Sequence, residues 1–550
     1  MKIASLVVIA VAALPGCFKQ PHWVAADISE SDGLAPDSRT ADGAGDLGSP
    51  DGGTKDHVGG TDSDAMAGVD IVSDCLPECG GDQCGPDGCG GSCGECVGPE
   101  KCIEGKCESP PFHMWSYEWG GWKSDYVSSM AAAKDGGFVL AGYFESETLV
   151  LAEDVVLKNK GYQDIFIVAL DSAGVVQWGK AYGAAVQDVA NDVGVATDGS
   201  IFMVGNSESA TVNVGGQDFV NPGKYFSFIA KYLPDGQHVW STGFGAPAQF
   251  SAGSIALKED HAWAAGGFTG DQFKLGELSV TGDCAGEQCW NGYIAAFDAL
   301  GSPDALWLLG RGCYPAHLAV LPGGDFLVAG SATDSCQPMG QPVLTGKGAY
   351  DVFVARIDGG GGLVWAKSFG GENNDGVEAL DVSPEGEVVI AGTFEGPAID
   401  FGGPVLKNSG ENDAFVAKLT SDGEHVFSAS YGTEGHEHAY AVAAGGDGSV
   451  YVGGQFGGAG LDFGGGTLIP IGETDAYVVR LDPKGTFLWA VRYGGSGDEF
   501  ISQLTLTSGS FVMAGAFGSP TISFGGESLR HESASGGGVG WAMFVAGMTD

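Results

Sequence analysis

The sequence predicts an all-β protein whose main body, residues 113–550, is a seven-bladed β-propeller of four-stranded blades. Three observations carry that expectation. An aromatic anchor returns at Trp115, Trp178, Trp240, Trp307, Trp365, Phe427 and Trp489, in steps of 63, 62, 67, 58, 62 and 62 residues. Regular self-similarity on this scale marks one supersecondary unit repeated. Each repeat also divides into four short apolar runs separated by Gly-rich turns, as at 377–382, 387–394, 413–419 and 424–431, which is the signature of successive hairpins. The third run is apolar almost throughout, as in Ile165-Phe-Ile-Val-Ala-Leu170 and Ala414-Phe-Val-Ala417. Such a strand is buried on both faces. Blades packed face to face supply that burial, and a single open sheet does not.

The two ends of the repeat region are out of phase in a complementary way. Trp115 sits in a fourth-strand pattern with no three strands before it, and the last unit, 500–548, has three strands and stops at Trp541-Ala-Met-Phe-Val-Ala. The early strand at 114–119 is therefore expected to complete the last blade and close the ring without a covalent link. Radial repetition of this kind leaves only short, protected strand edges.

Ahead of the propeller, Met1-Lys2 is followed by an apolar stretch from Ile3 to Leu14, the length of a signal-peptide core and too short to span a bilayer. It runs into Leu14-Pro15-Gly16-Cys17, which resembles the lipobox of bacterial lipoproteins, with Pro15 an unusual second letter. The resemblance implies a signal peptide over 1–16 and a lipid on Cys17, anchoring the chain to a membrane; the competing reading is an ordinary cleaved signal. Residues 17–74 read as an acidic linker: from Asp27 to Asp74 there are twelve acids against Arg39 and Lys55. Such a segment buries too little apolar surface to offset its ordering entropy. Its stretch from 27 to 74 would reach roughly 160 Å when extended, or average ~40 Å as a coil.

Residues 75–107 hold Cys75, Cys79, Cys84, Cys89, Cys93, Cys96, Cys102 and Cys107 and no aromatic residue. Without a core, the module is expected to be held by about four disulfides, for which 105 pairings exist. Metal binding is the alternative, because Cys93-Gly-Glu-Cys96 has ligand spacing. The run Cys84-Gly-Pro-Asp-Gly-Cys89-Gly-Gly-Ser-Cys93-Gly-Glu-Cys96 resembles a module common on surface lipoproteins of myxobacteria. Of thirteen cysteines, Cys284, Cys289, Cys313 and Cys336 then remain. Cys313 and Cys336 should both lie on the loop face and pair, and Cys284 and Cys289 should pair within one insertion.

In the repeats, Gly370-Gly-Glu-Asn-Asn-Asp375 and Asp413-Ala-Phe-Val-Ala-Lys-Leu resemble the bacterial propeller repeats known as SBBP, found in large exported proteins. The fourth unit departs from them at Arg311-Gly-Cys-Tyr-Pro.

Composition narrows the function. Against 25 Lys and Arg stand 70 Asp and Glu, a balance opposed to binding nucleic-acid phosphates. The lipobox and cysteine-module resemblances imply the cell envelope, with the outer membrane expected, facing periplasm or cell surface, and a monomer is expected. The long insertions, such as 396–412 and 457–474, repeat Ile399-Asp-Phe-Gly-Gly403, Leu461-Asp-Phe-Gly-Gly465 and Ile522-Ser-Phe-Gly-Gly526, and read as an extra hairpin in each blade. They open on the same face as the blade-to-blade loops, and function usually rides on loops held by a rigid frame.

Those blade-to-blade loops carry Asp125, Asp188, Asp375, Glu437 and Asp498. Around the pore mouth they could attract a cation such as Ca²⁺, which wants several oxygen ligands; alternatively each caps backbone N–H groups at a turn. His436-Glu-His438 is a candidate metal pair without a third ligand. No cofactor and no catalytic residue is expected. The leading expectation is a non-catalytic binding or scaffold protein for extracellular protein or glycan. The alternative is a polysaccharide-active hydrolase or lyase with its site at the pore mouth.

Overall fold

A computed structural model of the chain describes residues 101–103, 106–108 and 111–549, apart from 122, 246–249, 283–289, 508 and 532–539. Lys101–Ile103 and Lys106–Glu108, carrying Cys102 and Cys107, form a two-stranded sheet by themselves. Several expectations fall outside the described residues: the signal 1–16, the linker 17–74 with Cys17, Cys75 to Cys96, and the pair Cys284 and Cys289.

The rest forms seven four-stranded antiparallel sheets. In the fifth blade, Asp375–Val382, Val388–Phe394, Asp413–Leu419 and His425–Tyr431 pair in chain order from the axis outward. The third strands are buried along their whole length at Asp164–Leu170 and Asp413–Leu419, as their apolar runs require. The last blade is built from both chain ends. Glu499–Thr507, Ser510–Phe517 and Ala542–Thr549 are completed on the outside by His113–Trp119, with Ser116 opposite Ala546 and Tyr117 opposite Val545.

Ring closure shows in the core. Seven buried apolar clusters fill the structure, and each draws on two adjacent blades. The cluster joining last blade to first puts Met543 and Val545 against Phe138, Leu140 and Phe166. A linear stack would lack that cluster and expose two apolar faces.

The aromatic anchors latch one blade to the next at the rim. Trp178 and Trp365 each lie on the turn between the third and fourth strands of the following blade and donate to its backbone, to Pro234 at 2.8 Å and Ser421 at 3.1 Å. A glycine with positive φ occupies each such turn. At Gly174 (φ +81°) an added Cβ would lie 2.3 Å from the Trp115 ring, and at Gly423 (φ +77°) 3.1 Å from Trp365. Both the left-handed backbone and the space beneath the indole therefore demand glycine. Trp489 faces the last blade, where the chain ends meet and no such turn exists; its indole N–H is buried without a hydrogen-bond partner among the described residues.

The insertions form short hairpins in six blades, for example Ala398–Ile399 with Leu406–Lys407. Their Phe residues turn inward. Phe401 packs on Phe369 of the preceding blade at 5.1 Å and on Phe415 of its own at 4.9 Å; Phe463 and Phe524 repeat the arrangement. These hairpins staple neighbouring blades. The fourth blade has instead a short 3-10 turn, Pro338–Gly340, and the Cys313–Cys336 disulfide. No described helix is long and apolar enough to cross a membrane.

Candidate functional site

Four of the five acids singled out in the sequence share one position, at the start of the innermost strand. Each carboxylate accepts from the N–H four residues earlier: Asp125 from Gly121 (3.1 Å), Asp188 from Ala184 (2.7 Å), Asp375 from Gly371 (2.6 Å) and Glu437 from Thr433 (2.8 Å). The seventh-blade member is Glu499, which accepts from Gly495 at 2.8 Å. Asp498 points elsewhere, accepting from the Thr474 N–H and hydroxyl at 3.1 and 3.0 Å. The ring carboxylates also reach the loop after the second strand: Asp125 takes the Ser146 N–H and hydroxyl, and Glu499 the Ser519 N–H. In the fourth blade Cys313 holds this position, and its bond to Cys336 ties the same two segments covalently.

A second tier lies at the start of the third strands. Asp164, Asp351, Asp413 and Asp475 accept from the N–H groups of Lys160, Lys347, Ser409 and Ile471, again four residues earlier. Isolated parallel bridges, Gln163 to Gln187 and Tyr350 to Asn374 among them, join this tier to the next blade's inner strand. Both tiers thus organise backbone at the loop face. Burial pushes two of these carboxyls well up, Asp164 to about 6 and Asp375 to about 7, with Asp351 adding its charge to the latter.

The two histidines converge on one amide. His436 contacts Asn412 Oδ1 and pairs with Glu411 at 2.8 Å, while His438 Nε2 lies 3.2 Å from Asn412 Nδ2. Burial drives His438 down to about 3, which keeps it neutral at physiological pH. Among the described residues no group of three or more His, Cys, Asp or Glu could hold a metal ion.

Asymmetry enters where the inner strands face one another. Each inner strand packs against those of the blades on either side, and the seventh against the first, so they enclose the axis. Each also carries a β-bulge three residues past the capping position, where the register skips Ser128, Asn191, Gly253, Ala316, Glu378, Tyr440 and Ser502. A bulge re-aims the skipped side chain. This column varies from blade to blade, while the capping column largely repeats.

In it, Glu378 and Tyr440 are half-buried, as is Tyr126 two positions earlier in the first blade. Tyr126 hydrogen-bonds to Ser502, and the charge of Glu378 acts on the hydroxyls of both Tyr126 and Tyr440, although the three come from the fifth, first and sixth blades. Phe500 bridges the rings, 6.1 Å from Tyr126 and 6.0 Å from Tyr440. Tyr126 also stacks on Tyr143 at 5.7 Å, and Tyr440 on His438 at 5.0 Å. A carboxylate and aromatic rings thus lie together on the inner strands that enclose the axis. Sequence reasoning did not find it; the available signal was the one variable column inside an otherwise regular inner strand.

No protein family matches the chain. It is 28% identical over 189 residues to the regulatory protein FlaEY of Caulobacter vibrioides, a match covering 32% of this chain and 19% of that protein. It is 20% identical over 514 residues to an uncharacterised WD repeat-containing protein of Acanthamoeba polyphaga mimivirus, covering 75% of this chain and 36% of that one. The chain therefore spans about a fifth and about a third of these relatives. Among solved structures, puromycin hydrolase is similar at 12% identity and a TM-score of 0.41, over 73% of this chain and 51% of that one.

Proposed function

We propose that the propeller is a non-catalytic binding module that takes extracellular protein or glycan at the mouth of its axial channel. In this reading it is displayed on the cell envelope by the lipid on Cys17 and raised from the membrane on the 17–74 linker. The quoted lipobox, Cys/Gly and SBBP-type motifs support the display. The observation that carries the binding role is the departure from symmetry at Tyr126, Glu378 and Tyr440, on a frame whose capping carboxylates are engaged with backbone.

A polysaccharide-cleaving site would need a phenolate or a second carboxylate working with Glu378. Burial pushes the hydroxyls of Tyr126 and Tyr440 well up, which disfavours the phenolate. The test is an array of glycans and proteins probed with the intact chain, with and without Ca²⁺, against Tyr440→Ala. Binding lost in Tyr440→Ala supports the proposal. Product released from a glycan supports the cleaving alternative, and binding indifferent to Tyr440 moves the site elsewhere.

A further inference from the structure

We infer that a proton operates the junction between the fifth and sixth blades: His436, protonated on both ring nitrogens, clasps Glu411 and Asn412 of the preceding blade and releases Glu411 when it loses a proton. The inference goes beyond the binding reading and does not depend on it.

The protons follow from the partners. Asn412 turns its amide nitrogen to His438 Nε2 at 3.2 Å. An amide nitrogen only donates, so that Nε2 is bare and accepts. Burial holds His438 neutral, in agreement. The amide oxygen then faces His436 Nδ1. It only accepts, so Nδ1 carries a proton. The other ring nitrogen, Nε2, lies 2.8 Å from a carboxylate oxygen of Glu411, which accepts as well. Nε2 carries the second proton, and the ring is an imidazolium. The two histidines whose spacing suggests a metal pair are thus a donor and an acceptor on one amide.

Position gives that charge a task. Parallel bridges join the head of a third strand to the next blade's inner strand at Gln163 and Gln187, Tyr350 and Asn374, Asn412 and His436, and Thr474 and Asp498. Side chains reinforce such a bridge, as where Asp498 accepts the Thr474 hydroxyl at 3.0 Å. Of these four, the Asn412 bridge alone contains histidine, the residue type that changes charge between about pH 5 and 8. Beside it the Glu411 N–H donates to the Gly435 carbonyl at 3.3 Å and the Glu437 N–H to the Asn412 carbonyl at 3.0 Å. The clasp therefore sits over backbone bonds that join the two blades.

The surroundings leave the imidazolium to Glu411. Segments 408–413 and 432–438 contain neither Lys nor Arg. Their other acids are Asp413, Glu434 and Glu437. Asp413 accepts the Ser409 N–H at 2.9 Å, and Glu437 the Thr433 N–H and hydroxyl at 2.8 and 2.9 Å. Glu434 is exposed. Gln455, opposite His438 in the neighbouring strand, is uncharged. When Nε2 gives its proton to water, its lone pair faces the Glu411 carboxylate. That side chain is 71% exposed and turns into solvent, while Nδ1–H stays on Asn412. The tie is present at low pH and lost as pH rises.

Two measurements on the intact chain test this. With nitrogen-15 in the histidines, two-bond proton–nitrogen spectra separate imidazolium from each neutral tautomer. At about pH 5.5 His436 should be the imidazolium and His438 the neutral Nδ1–H tautomer; by about pH 8.5 His436 should be neutral with its proton on Nδ1. Hydrogen exchange, corrected for its intrinsic pH dependence, should show the Glu411 and Glu437 amides losing roughly two- to fivefold in protection over that range, the size of an exposed ion pair. Glu411→Gln and His436→Gln should each flatten that loss. Thermal melts establish that the variants are folded, and if His436→Gln unfolds, the exposed Glu411→Gln carries the test. A neutral His436 at the lower pH, a charged one at both, or the same loss of protection in the folded variants overturns the inference. The last result would assign the pH response to the Asp413 and Glu437 carboxyls.

Discussion

Asp375 should make the protein less stable as pH rises. Its carboxyl is buried at the head of the fifth blade's inner strand, accepts the Gly371 N–H at 2.6 Å, and feels the neighbouring charge of Asp351. Burial, the larger effect, lifts it to about 7 from 3.8. The unfolded chain releases this proton near pH 4 and the folded chain keeps it to about 7. Between those values the folded state binds more protons, so stability falls with rising pH. The contribution is fully present below the unfolded value and lost once pH passes the folded one. At 1.36 kcal/mol per unit the upper bound is about 4 kcal/mol, and about 2 kcal/mol is expected once the loop relaxes around the charge. Asp375→Asn keeps the shape and an acceptor oxygen but cannot ionise. Urea midpoints followed by tryptophan fluorescence should nearly coincide for parent and variant at pH 4, with the variant the more stable at pH 8. Comparing the two proteins cancels the self-repulsion of the acidic chain. An equal gap at both pH values, or a parent favoured at pH 8, would refute the reasoning.

Gly174→Ala should cost about 2 kcal/mol or more, because it combines positive φ with a Cβ driven into Trp115; a lowered melting temperature is the readout. Cys336→Ser should remove about 3 kcal/mol, as expected for a bond closing a loop with a sequence separation of 23, and should lessen the sensitivity of the melt to reductant. Phe401→Ala should cost about 3–5 kcal/mol, since its ring is buried between two blades. A loss in protease resistance around residues 369 and 415 would accompany it.

The wheel was legible because burial on both faces leaves an apolar run in the sequence, and because a strand that closes a ring leaves complementary gaps at the two ends. Asp413–Leu419 has the same limits as its apolar run, and Cys313–Cys336 followed from a shared face. Phase was harder. Glu499, not Asp498, is the seventh blade's capping residue; two adjacent acids look alike until the register fixes which one turns inward. Asp164, Asp351, Asp413 and Asp475 read as letters of a motif, and only the hydrogen bonds show that they cap a turn four residues back. The 396–412 insertion was legible as an extra hairpin, but its Phe401 joining two blades was not. Glu378 and Tyr440 were missed because a repeat is recognised by averaging its copies, and averaging erases a column that differs in each.

Closure of the ring is tested most directly by joining its two ends. Ser116 and Ala546 lie opposite each other between the outer two strands of the last blade, where facing side chains come within about 5.5 Å. With Ser116→Cys and Ala546→Cys introduced together and oxidised, mass spectrometry should find one peptide pair linking 113–119 to 542–549. Two cysteines that stay unlinked in folded protein, and are each alkylated separately, would contradict the account.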